Sequence, residues 1–356
     1  MARRFDSLPD LLNHGFDTVI DVRSPAEFAE DHLPGAINLP VLDNAQRAEV
    51  GTIYKQQSPF LARKLGAAMV FRSAAHHVET ALRAHEGGWR PLVYCWRGGQ
   101  RSGTFTWMLR EIGWRAEVIE GGYRSYRRLV NATLYDVPLA HRLIALDGYT
   151  GTAKTDLLHR LRARGVQMLD LEGLAGHRGS LLGRMEVAQP SQKAFESALA
   201  EALSNLDPAR PVVIEAESSK IGDRIIPPSL WAAMKDAPRL QLNAPITART
   251  TYLVGAYDDI LSDGARMMEL LDLLRGFRGN AVVDGWFERI KAGDKPGLTR
   301  ALMEQHYDPA YDKSRKAVSA RVIDHVSLNT LDDAGLDRAA ARIEGIVEDQ
   351  PACKVS

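Results

Sequence analysis

Cysteine is scarce in this chain, which has only Cys95 and Cys353 among its 356 residues. So few cysteines argue against a disulfide-stapled fold and for a reducing compartment. No apolar run approaches the ~20 residues that a transmembrane helix needs. The first residues are not followed by the apolar stretch of a secretory signal. We therefore expect a cytoplasmic protein that has no membrane partner.

Net charge is also absent, because 45 Lys and Arg residues balance 45 Asp and Glu residues. The chain thus has no overall electrostatic attraction to nucleic acid, and any such binding requires a local basic patch. Apolar residues make up 45% of the chain and charged residues 25%, as in globular proteins that bury a core. The length suits two domains.

Short apolar strands alternate with helical segments in both halves, which predicts two α/β domains with parallel sheets. We place the first domain at 1–130, a connector at 131–141 and the second domain at 142–350, with a mostly helical region after residue 244. The predicted strands are 18–22, 36–39, 91–94, 116–119, 143–146, 167–171, 211–216 and 239–243. Ser24 and Pro25 are predicted as the N-cap and first residue of a helix.

Cys95 ends one of these strands and begins a loop that contains Arg97, Gly98, Gly99 and Arg101. A helical stretch follows, so backbone N–H groups and two guanidinium groups would favour a thiolate and hold an anion beside it. A lone cysteine is often buried and inert, but these neighbours favour a function. Cys95 is the candidate catalytic residue, and the four loop residues are the candidate anion site. The spacing Cys95-x5-Arg101 also fits cysteine phosphatases, so the loop alone does not choose the reaction.

A second loop nearly matches the P-loop pattern G-x-x-x-x-G-K-[ST] and lies between a predicted strand and a predicted helix. In that context, backbone N–H groups and a lysine bind phosphate. The candidate phosphate-binding residues are Gly148, Thr150, Gly151, Lys154 and Thr155. Ala153 stands where the pattern has glycine and narrows the allowed backbone angles.

Four further residues are candidate contacts for a diphosphate or another substrate: Arg178, Arg184, Glu215 and Glu217. Glu215 and Glu217 end an apolar strand, where α/β folds present ligands, although a solvated strand end explains them equally well. The two arginines could clamp an anion, although loops of this kind more often carry only surface charge.

Arg124, Arg127 and Arg128 alternate with Tyr123 and Tyr126. Positive charge suits phosphates and aromatic rings suit unstacked bases, so the three arginines are candidate RNA contacts. A solvated helix face is the commoner origin of such a run.

Three motifs occur in the order typical of a rhodanese domain, which the N-terminal half therefore resembles. They are the run 21–28, the run 32–40, and the Cys95 loop followed by Glu120-Gly121-Gly122-Tyr123. The runs 50–57, 170–180, 191–196, 215–218 and 306–311 resemble the tRNA 2-selenouridine synthase family, in which a rhodanese domain is joined to a P-loop domain. The resemblance extends from about residue 5 to residue 311.

This resemblance implies a transferase that replaces the sulfur of wobble 2-thiouridine in tRNA with selenium. Selenophosphate would be the donor, and S-geranyl-2-thiouridine, made with geranyl diphosphate, would be the intermediate. Cys95 would carry the selenium, and Lys154 and Thr155 would belong to the P-loop. We expect thiolated tRNA and a selenophosphate-producing enzyme as partners and no tightly bound cofactor; the use of Mg²⁺ and the identity of any metal ligands stay open. The P-loop is expected to hold geranyl diphosphate, because the chemistry has no evident need for ATP.

Three other functions fit parts of the sequence. One is a rhodanese-type sulfurtransferase fused to a nucleotide-dependent kinase or ATPase. Another is a phosphatase that uses Cys95 and Arg101, although the sequence reveals no general acid for it. The third is a non-catalytic RNA-binding protein, which the two chemistry-bearing loops disfavour.

Overall fold

The computed structural model describes residues 2–178, 187–316 and 321–350, and the chain divides into two compact units. The first unit is Met1–Val137 with Pro190–Asn205, and the second is Pro138–Gln189 with Leu206–Ser356. The boundaries that we predicted from the sequence assign residues 190–205 to the second domain, whereas these residues pack within the first unit.

The first unit is built on a five-stranded parallel sheet in the order β1-β5-β4-β2-β3. Its strands are β1 (Ala2–Arg3), β2 (Thr18–Asp21), β3 (Ile37–Asn38), β4 (Pro91–Tyr94) and β5 (Glu117–Ile119). The helices of its first segment are α1 (Leu8–Leu12), α2 (Pro25–Glu30), α3 (Asn44–Gln56), α4 (Pro59–Glu79), α5 (Gln100–Ile112) and α6 (Tyr123–Asn131). A π-helical turn, Ala132–Asp136, continues from α6, so part of the predicted connector is helical.

The core of this unit explains why its strands were visible in the sequence. All four residues of β4 are buried, as expected for a central parallel strand covered on both faces. Phe105 and Leu109 of α5 are fully buried in the same cluster as Val93. The capping box at Ser24, with Pro25 in the first turn of α2, confirms the predicted helix start.

The second unit has a five-stranded parallel sheet in the order β12-β11-β6-β8-β7 and a separate antiparallel pair. Its strands are β6 (Leu143–Asp147), β7 (Gln167–Leu169), β8 (Val212–Glu215), β9 (Lys220–Ile221), β10 (Arg224–Ile225), β11 (Arg239–Asn243) and β12 (Val322–Ser327). The helices from here on are α7 (Lys154–Ala163), α8 (Leu171–Ala175), α9 (Gln192–Ser204), α10 (Pro228–Asp236), α11 (Ile246–Ala256), α12 (Asp258–Leu261), α13 (Gly264–Asp272), α14 (Arg275–Arg278), α15 (Asn280–Lys291), α16 (Lys295–Leu302), α17 (Asp308–Lys316) and α18 (Asp333–Glu348), with a π-helical turn at Met303–Tyr307. Of these, α9 belongs to the first unit.

The predicted fold class, two parallel α/β domains with a helical C-terminal region, is confirmed. The strand β12 interrupts that helical region and was not predicted. It is an edge strand that contains Asp324 and His325, and only Val326 is fully buried, so it lacks an apolar signal. Over the described residues, no helix is long and apolar enough to cross a membrane.

Candidate functional site

Cys95 lies at the carboxyl end of β4, the central strand of the first sheet, directly before the loop that leads into α5. The loop is held by a second turn, Gly121-Gly122, in which Tyr123 N–H donates to Cys95 O at 2.8 Å and Arg124 N–H donates to Trp96 O at 3.1 Å. The two motifs that are 25 residues apart in sequence therefore form one structural unit around the cysteine.

Close packing at this junction requires glycine. Gly98 has a φ of 65°, and a Cβ there would lie 2.7 Å from Ile119 O. Gly122 has a φ of 59°, and a Cβ there would lie 2.2 Å from Cys95 O. Both φ angles are in the left-handed region that side chains disfavour, so each residue is glycine for two independent reasons.

The backbone N–H groups of the loop are available to an incoming anion. With the Cys95 and Trp96 carbonyls engaged by the second turn, the N–H groups of Arg97, Gly98 and Gly99 have no acceptor among the described residues. Unused N–H groups in a curved loop before a helix form an anion-binding concavity. The anion-binding role of Gly98 and Gly99 stays a prediction, and these unpaired N–H groups are the feature that supports it.

The Cys95 sulfur is buried and receives a directed hydrogen bond. Ser102, fully buried in the first turn of α5, donates its hydroxyl to Cys95 Sγ at 3.1 Å. The same hydroxyl also lies 3.3 Å from Gly99 O, so Ser102 links the sulfur to the backbone of the loop. Ser102 directly follows Arg101 in the sequence, and we predicted no role for it.

The two arginines of the loop differ in their surroundings. Arg97 is exposed, whereas Arg101 is mostly buried and donates to Glu27 Oε2 at 2.9 Å. Burial of Glu27 opposes its charge, but hydrogen bonding and the charge of Arg101, aided by Arg47, outweigh burial and lower the pKa of Glu27. Arg101 is therefore held in place by a carboxylate, and an anion must compete with Glu27 for it.

A cavity of about 570 Å³ opens beside Cys95, under the hairpin of α3 and α4. Its lining includes Cys95 and five basic side chains: Arg47, Lys55, Arg63, Arg97 and Arg101. None of the described residues that line it is acidic. The three cations from α3 and α4 were missed by sequence reasoning, although Lys55 lies in a family-like run. The cavity therefore favours a multiply charged anion near the sulfur.

The second candidate site is the P-loop of the second unit, between β6 and α7. Ala153 has a φ of 57° and a ψ of 37°, and it is the one non-glycine residue with a positive φ in the described ranges. Alanine therefore adopts the left-handed conformation that the pattern assigns to glycine, at a cost of about 1–2 kcal/mol. The loop keeps its turn despite the substitution.

Lys154 and Thr155 both have hydrogen-bond partners within the second unit. Lys154 Nζ donates to Gly148 O at 3.1 Å, and Thr155 Oγ1 donates to Glu215 Oε1 at 2.6 Å. Glu172 Oε2 lies 3.4 Å from the same hydroxyl. The P-loop cavity, about 620 Å³, is lined by Lys154, Thr155 and Glu172 together with Arg178 and Glu217, whereas Glu215 lies behind Thr155 and does not line it.

Three carboxyl groups at this site hold protons tightly. Burial, together with the charge of Glu217, raises the pKa of Glu172 to about 8. Burial, together with the charge of Glu172, raises the pKa of Glu215 to about 8. Burial raises the pKa of Glu217 to about 7, against the lowering effect of Lys154. The site is therefore less negative at neutral pH than its three glutamates suggest, which favours an anionic ligand.

A segment far along the chain braces the P-loop. Tyr311 Oη accepts from Gly148 N–H at 3.0 Å and donates to buried Asp147. Arg249 binds both oxygens of Asp308, at 2.9 and 2.8 Å, and also donates to Thr150 O at 3.1 Å. Bidentate pairing of this kind fixes geometry as well as charge. The run 306–311 was noted in the sequence only for its resemblance to the family, and its contacts with the P-loop were not predicted.

Arg178 is placed at the P-loop cavity but has a partner there. It donates to both oxygens of Asp259 at 3.3 Å and lies 5.1 Å from the Tyr257 ring. Arg184, its predicted companion, lies outside the described residues. Within the described ranges, no group of three or more His, Cys, Asp or Glu residues is arranged to hold a metal ion.

The chain was compared with known proteins. A family profile described as the tRNA 2-selenouridine synthase AAA domain matches residues 141–277, and a profile for the rhodanese-like domain matches residues 5–129. A tRNA 2-selenouridine synthase of Cupriavidus necator is 33% identical over 86% of this chain and 90% of its own length.

The chain belongs to the tRNA 2-selenouridine synthase family.

Other members of the family match over a shorter stretch. Those of Nitrosomonas europaea and Chromohalobacter salexigens are 37% and 39% identical, over 67% and 68% of this chain. The matched part spans 63% and 66% of the length of those two relatives, just under two thirds.

The basic cluster of the first unit consists of Arg124, Arg127 and Arg128, which differ in their exposure. Arg124 and Arg128 are exposed. Arg127 is paired with buried Glu196 of α9 and also donates to Ser197 Oγ at 3.1 Å. Arg127 thus has a structural task, and the surface charge of the cluster comes from the other two arginines.

A wide cavity of about 1090 Å³ joins this cluster to the Cys95 loop. Trp96 and Arg97 line both this 1090 Å³ cavity and the cavity beside Cys95. The 1090 Å³ cavity is also lined by Arg124, Arg128 and Lys193, which do not line the cavity beside Cys95. A basic surface with an aromatic ring therefore leads directly to the cysteine.

Proposed function

We propose that this chain converts wobble 2-thiouridine in tRNA to 2-selenouridine, with selenophosphate as the selenium donor and S-geranyl-2-thiouridine as the intermediate. The observation that supports the proposal most is the surroundings of Cys95. Its sulfur is hydrogen-bonded to Ser102, its loop has unpaired backbone N–H groups, and five cationic side chains line the cavity beside it. Such a site suits a thiolate nucleophile that works beside a bound, phosphate-bearing donor.

The first step belongs to the P-loop. The sulfur of 2-thiouridine attacks C1 of geranyl diphosphate, the S–C1 bond forms, the C1–O bond breaks, and diphosphate leaves. The N–H groups of the loop and Lys154 stabilise the departing charge. The raised pKa values of Glu172 and Glu215 support this step, because protonated carboxyl groups do not repel diphosphate.

The second step belongs to Cys95. Its thiolate attacks C2 of the geranylated base, the S–C2 bond to Cys95 forms, the C2–S bond to the geranyl group breaks, and geranyl thiol leaves with one proton. The selenium of selenophosphate, whose phosphate is held by the loop N–H groups and by Arg97 with Arg101 released from Glu27, then attacks C2 and displaces the Cys95 thiolate. Water cleaves the Se–P bond, phosphate leaves, and 2-selenouridine remains. No tightly bound cofactor is required; selenophosphate and geranyl diphosphate are co-substrates. An enzyme that makes selenophosphate is the partner that must supply the donor in the cytoplasm.

The tRNA is proposed to lie on the basic surface next to the Cys95 loop. Arg124 and Arg128 would pair with phosphates, and Trp96 could stack on an unstacked anticodon base. Arg127 is left out of this contact, because its guanidinium is held by Glu196.

Mass spectrometry of tRNA nucleosides tests the proposal. Thiolated tRNA is incubated with the protein, geranyl diphosphate and selenophosphate, and the wild type is compared with Cys95→Ser. Cys353→Ser is the matched control, since it removes the only other cysteine. We expect 2-selenouridine from the wild type and the control, and S-geranyl-2-thiouridine alone from Cys95→Ser. No change in any nucleoside, together with thiocyanate formation from thiosulfate and cyanide, would replace the proposal with a plain sulfurtransferase.

A further inference from the structure

A small apolar pocket adjoins the P-loop cavity within the second unit. Its volume is about 40 Å³, room for about three water molecules. The lining residues are Thr150, Leu253, Tyr257, Leu261, Thr299, Leu302, Met303 and Tyr307. None of these side chains is charged, in contrast to the P-loop cavity next to it.

The pocket and the P-loop cavity are continuous. Thr150, Leu253, Tyr257 and Tyr307 line both. Leu253 of α11 packs directly on the loop, since a Cβ at Gly151 would lie 2.7 Å from Leu253 Cδ1. A ligand whose phosphates are held by the loop N–H groups therefore has an uncharged pocket within its reach.

The far wall of the pocket belongs to the helical region. Leu302 at the end of α16 and Met303 in the following turn are almost completely buried, and Leu261 at the end of α12 is half-buried. These side chains close the pocket at a short distance from the phosphate loop. Thr299 of α16 also lines the pocket, and its buried hydroxyl has no hydrogen-bond partner among the described residues. Apart from this hydroxyl, the far wall consists of apolar side chains, which suit a short hydrocarbon chain better than the polar edges and hydroxyl groups of a nucleoside.

We infer that this pocket binds the end of the hydrocarbon chain of an allylic diphosphate and selects its length. The inference rests on the proposed function, because it assumes that the P-loop holds the diphosphate of such a ligand. The proximal five-carbon unit lies in the P-loop cavity, and the second five-carbon unit fills the pocket. Leu261, Leu302 and Met303 form its end and are the specificity-determining residues.

The inference predicts how binding depends on chain length. Each buried methylene contributes roughly a fourfold gain in affinity, and part of this gain is offset by ordering the chain. Geranyl diphosphate is therefore expected to bind about 100-fold more tightly than dimethylallyl diphosphate, which reaches only the P-loop cavity. Pyrophosphate alone is expected to bind no more tightly than dimethylallyl diphosphate.

Titration calorimetry of the full chain with these three compounds, without tRNA, is the test. Leu261→Trp fills the pocket and should reduce the preference for geranyl over dimethylallyl diphosphate to less than about fivefold, while pyrophosphate affinity is retained and reports a folded loop. Leu270→Trp is the matched control, because half-buried Leu270 packs in the same cluster but does not line the pocket. It should keep the preference. Leu261→Ala should improve binding of the 15-carbon farnesyl diphosphate relative to geranyl diphosphate about tenfold.

Equal affinity of the wild type for the three compounds, tighter binding of ATP than of geranyl diphosphate, or an undiminished preference in Leu261→Trp would overturn the inference. The nucleoside assay tests the proposed function separately. If tRNA is geranylated but Leu261→Trp keeps the preference, the pocket is wrong and the function stands. If the chain-length preference is found but no tRNA nucleoside changes, the pocket stands and the function is wrong.

Discussion

Replacing Arg127 should destabilise the first unit rather than weaken tRNA binding. The Arg127 guanidinium pairs with Glu196, donates to Ser197 Oγ and Lys193 O at 3.1 Å each, and donates to Asn131 at 3.2 Å. Arg127→Ala leaves the carboxylate of Glu196, which is 5% exposed, without its cation. This pairing docks α9 on α6.

The size of the stability loss in Arg127→Ala depends on the hydrogen bonds that the Glu196 carboxylate keeps. Removing one partner of a buried ion pair costs about 3–5 kcal/mol. Tyr135 Oη, at 2.7 Å, and Gln192 Nε2, at 3.0 Å, still donate to Glu196. We therefore take the lower end and expect the free energy of unfolding of this unit to fall by about 3 kcal/mol.

A double variant separates the charge from the packing. Arg127→Met with Glu196→Gln removes both charges and keeps most of the volume, so it should recover at least about half of the loss, because an uncharged pair has no desolvated charge to compensate. The matched surface variant is Arg124→Ala, which should weaken tRNA binding and leave unfolding unchanged. Urea denaturation with hydrogen exchange of the α6 and α9 peptides measures this unit separately. A loss under about 1 kcal/mol in Arg127→Ala, or a loss of tRNA affinity without loss of stability, would contradict a structural role for the Arg127–Glu196 pair.

Three further predictions concern the two candidate sites. Gly122→Ala should lower the melting temperature and abolish selenation, measured by thermal unfolding and nucleoside analysis, because its Cβ would meet Cys95 O at 2.2 Å. Glu27→Gln should free Arg101 and let phosphate protect Cys95 from iodoacetamide at lower concentration, whereas unchanged protection would contradict the role of the Glu27 pair. Glu215→Gln should flatten the pH dependence of stability. Burial raises the pKa of Glu215 to about 8, so the folded chain binds more protons than the unfolded chain between pH ~4.5 and ~8. The stability of the wild type therefore falls as pH rises through that window. Denaturation at pH 5 and pH 8.5 should give the variant a smaller loss than the wild type, and an equal loss would count against the shift.

The central strands of both sheets could be predicted from the sequence because parallel strands buried on both faces are continuous apolar runs. β4 begins and ends where predicted, β6 is longer by one residue at its end, and β8 is shorter by one residue at each end. β11 also has its predicted bounds, although only Leu240 and Leu242 of it are buried. The edge strands β1 and β12 escaped prediction, since an edge strand has few buried residues to mark it.

The assignment of α9 to the first unit could not be predicted from chain order. The helix follows the P-loop and its strands in sequence, and a boundary placed at residue 142 gives it to the second domain. Its place depends on Phe195 and Leu199, which are fully buried, and on the pairing of Glu196 with Arg127. Contacts over 69 residues leave no local pattern.

The two loops could be located from the sequence, and the chemistry assigned to them stays a prediction. Cys95, Lys154 and Thr155 stand in loops with fixed spacing, so their neighbours could be identified from the sequence alone. The contact of Ser102 with the sulfur depends on side-chain direction, which sequence spacing does not encode. The contact of Tyr311 with Gly148 joins residues that are 163 positions apart, so no local pattern reveals it.

The central claim is that geranylation and selenation are carried out by different residues of one chain, and pre-geranylated tRNA tests it most directly. S-geranyl-2-thiouridine tRNA and selenophosphate are given to Lys154→Ala and to Cys95→Ser, and the nucleosides are measured by mass spectrometry. We expect Lys154→Ala to form 2-selenouridine at close to the wild-type rate and Cys95→Ser to form none. Selenation by Cys95→Ser, or its absence in a folded Lys154→Ala, would contradict it.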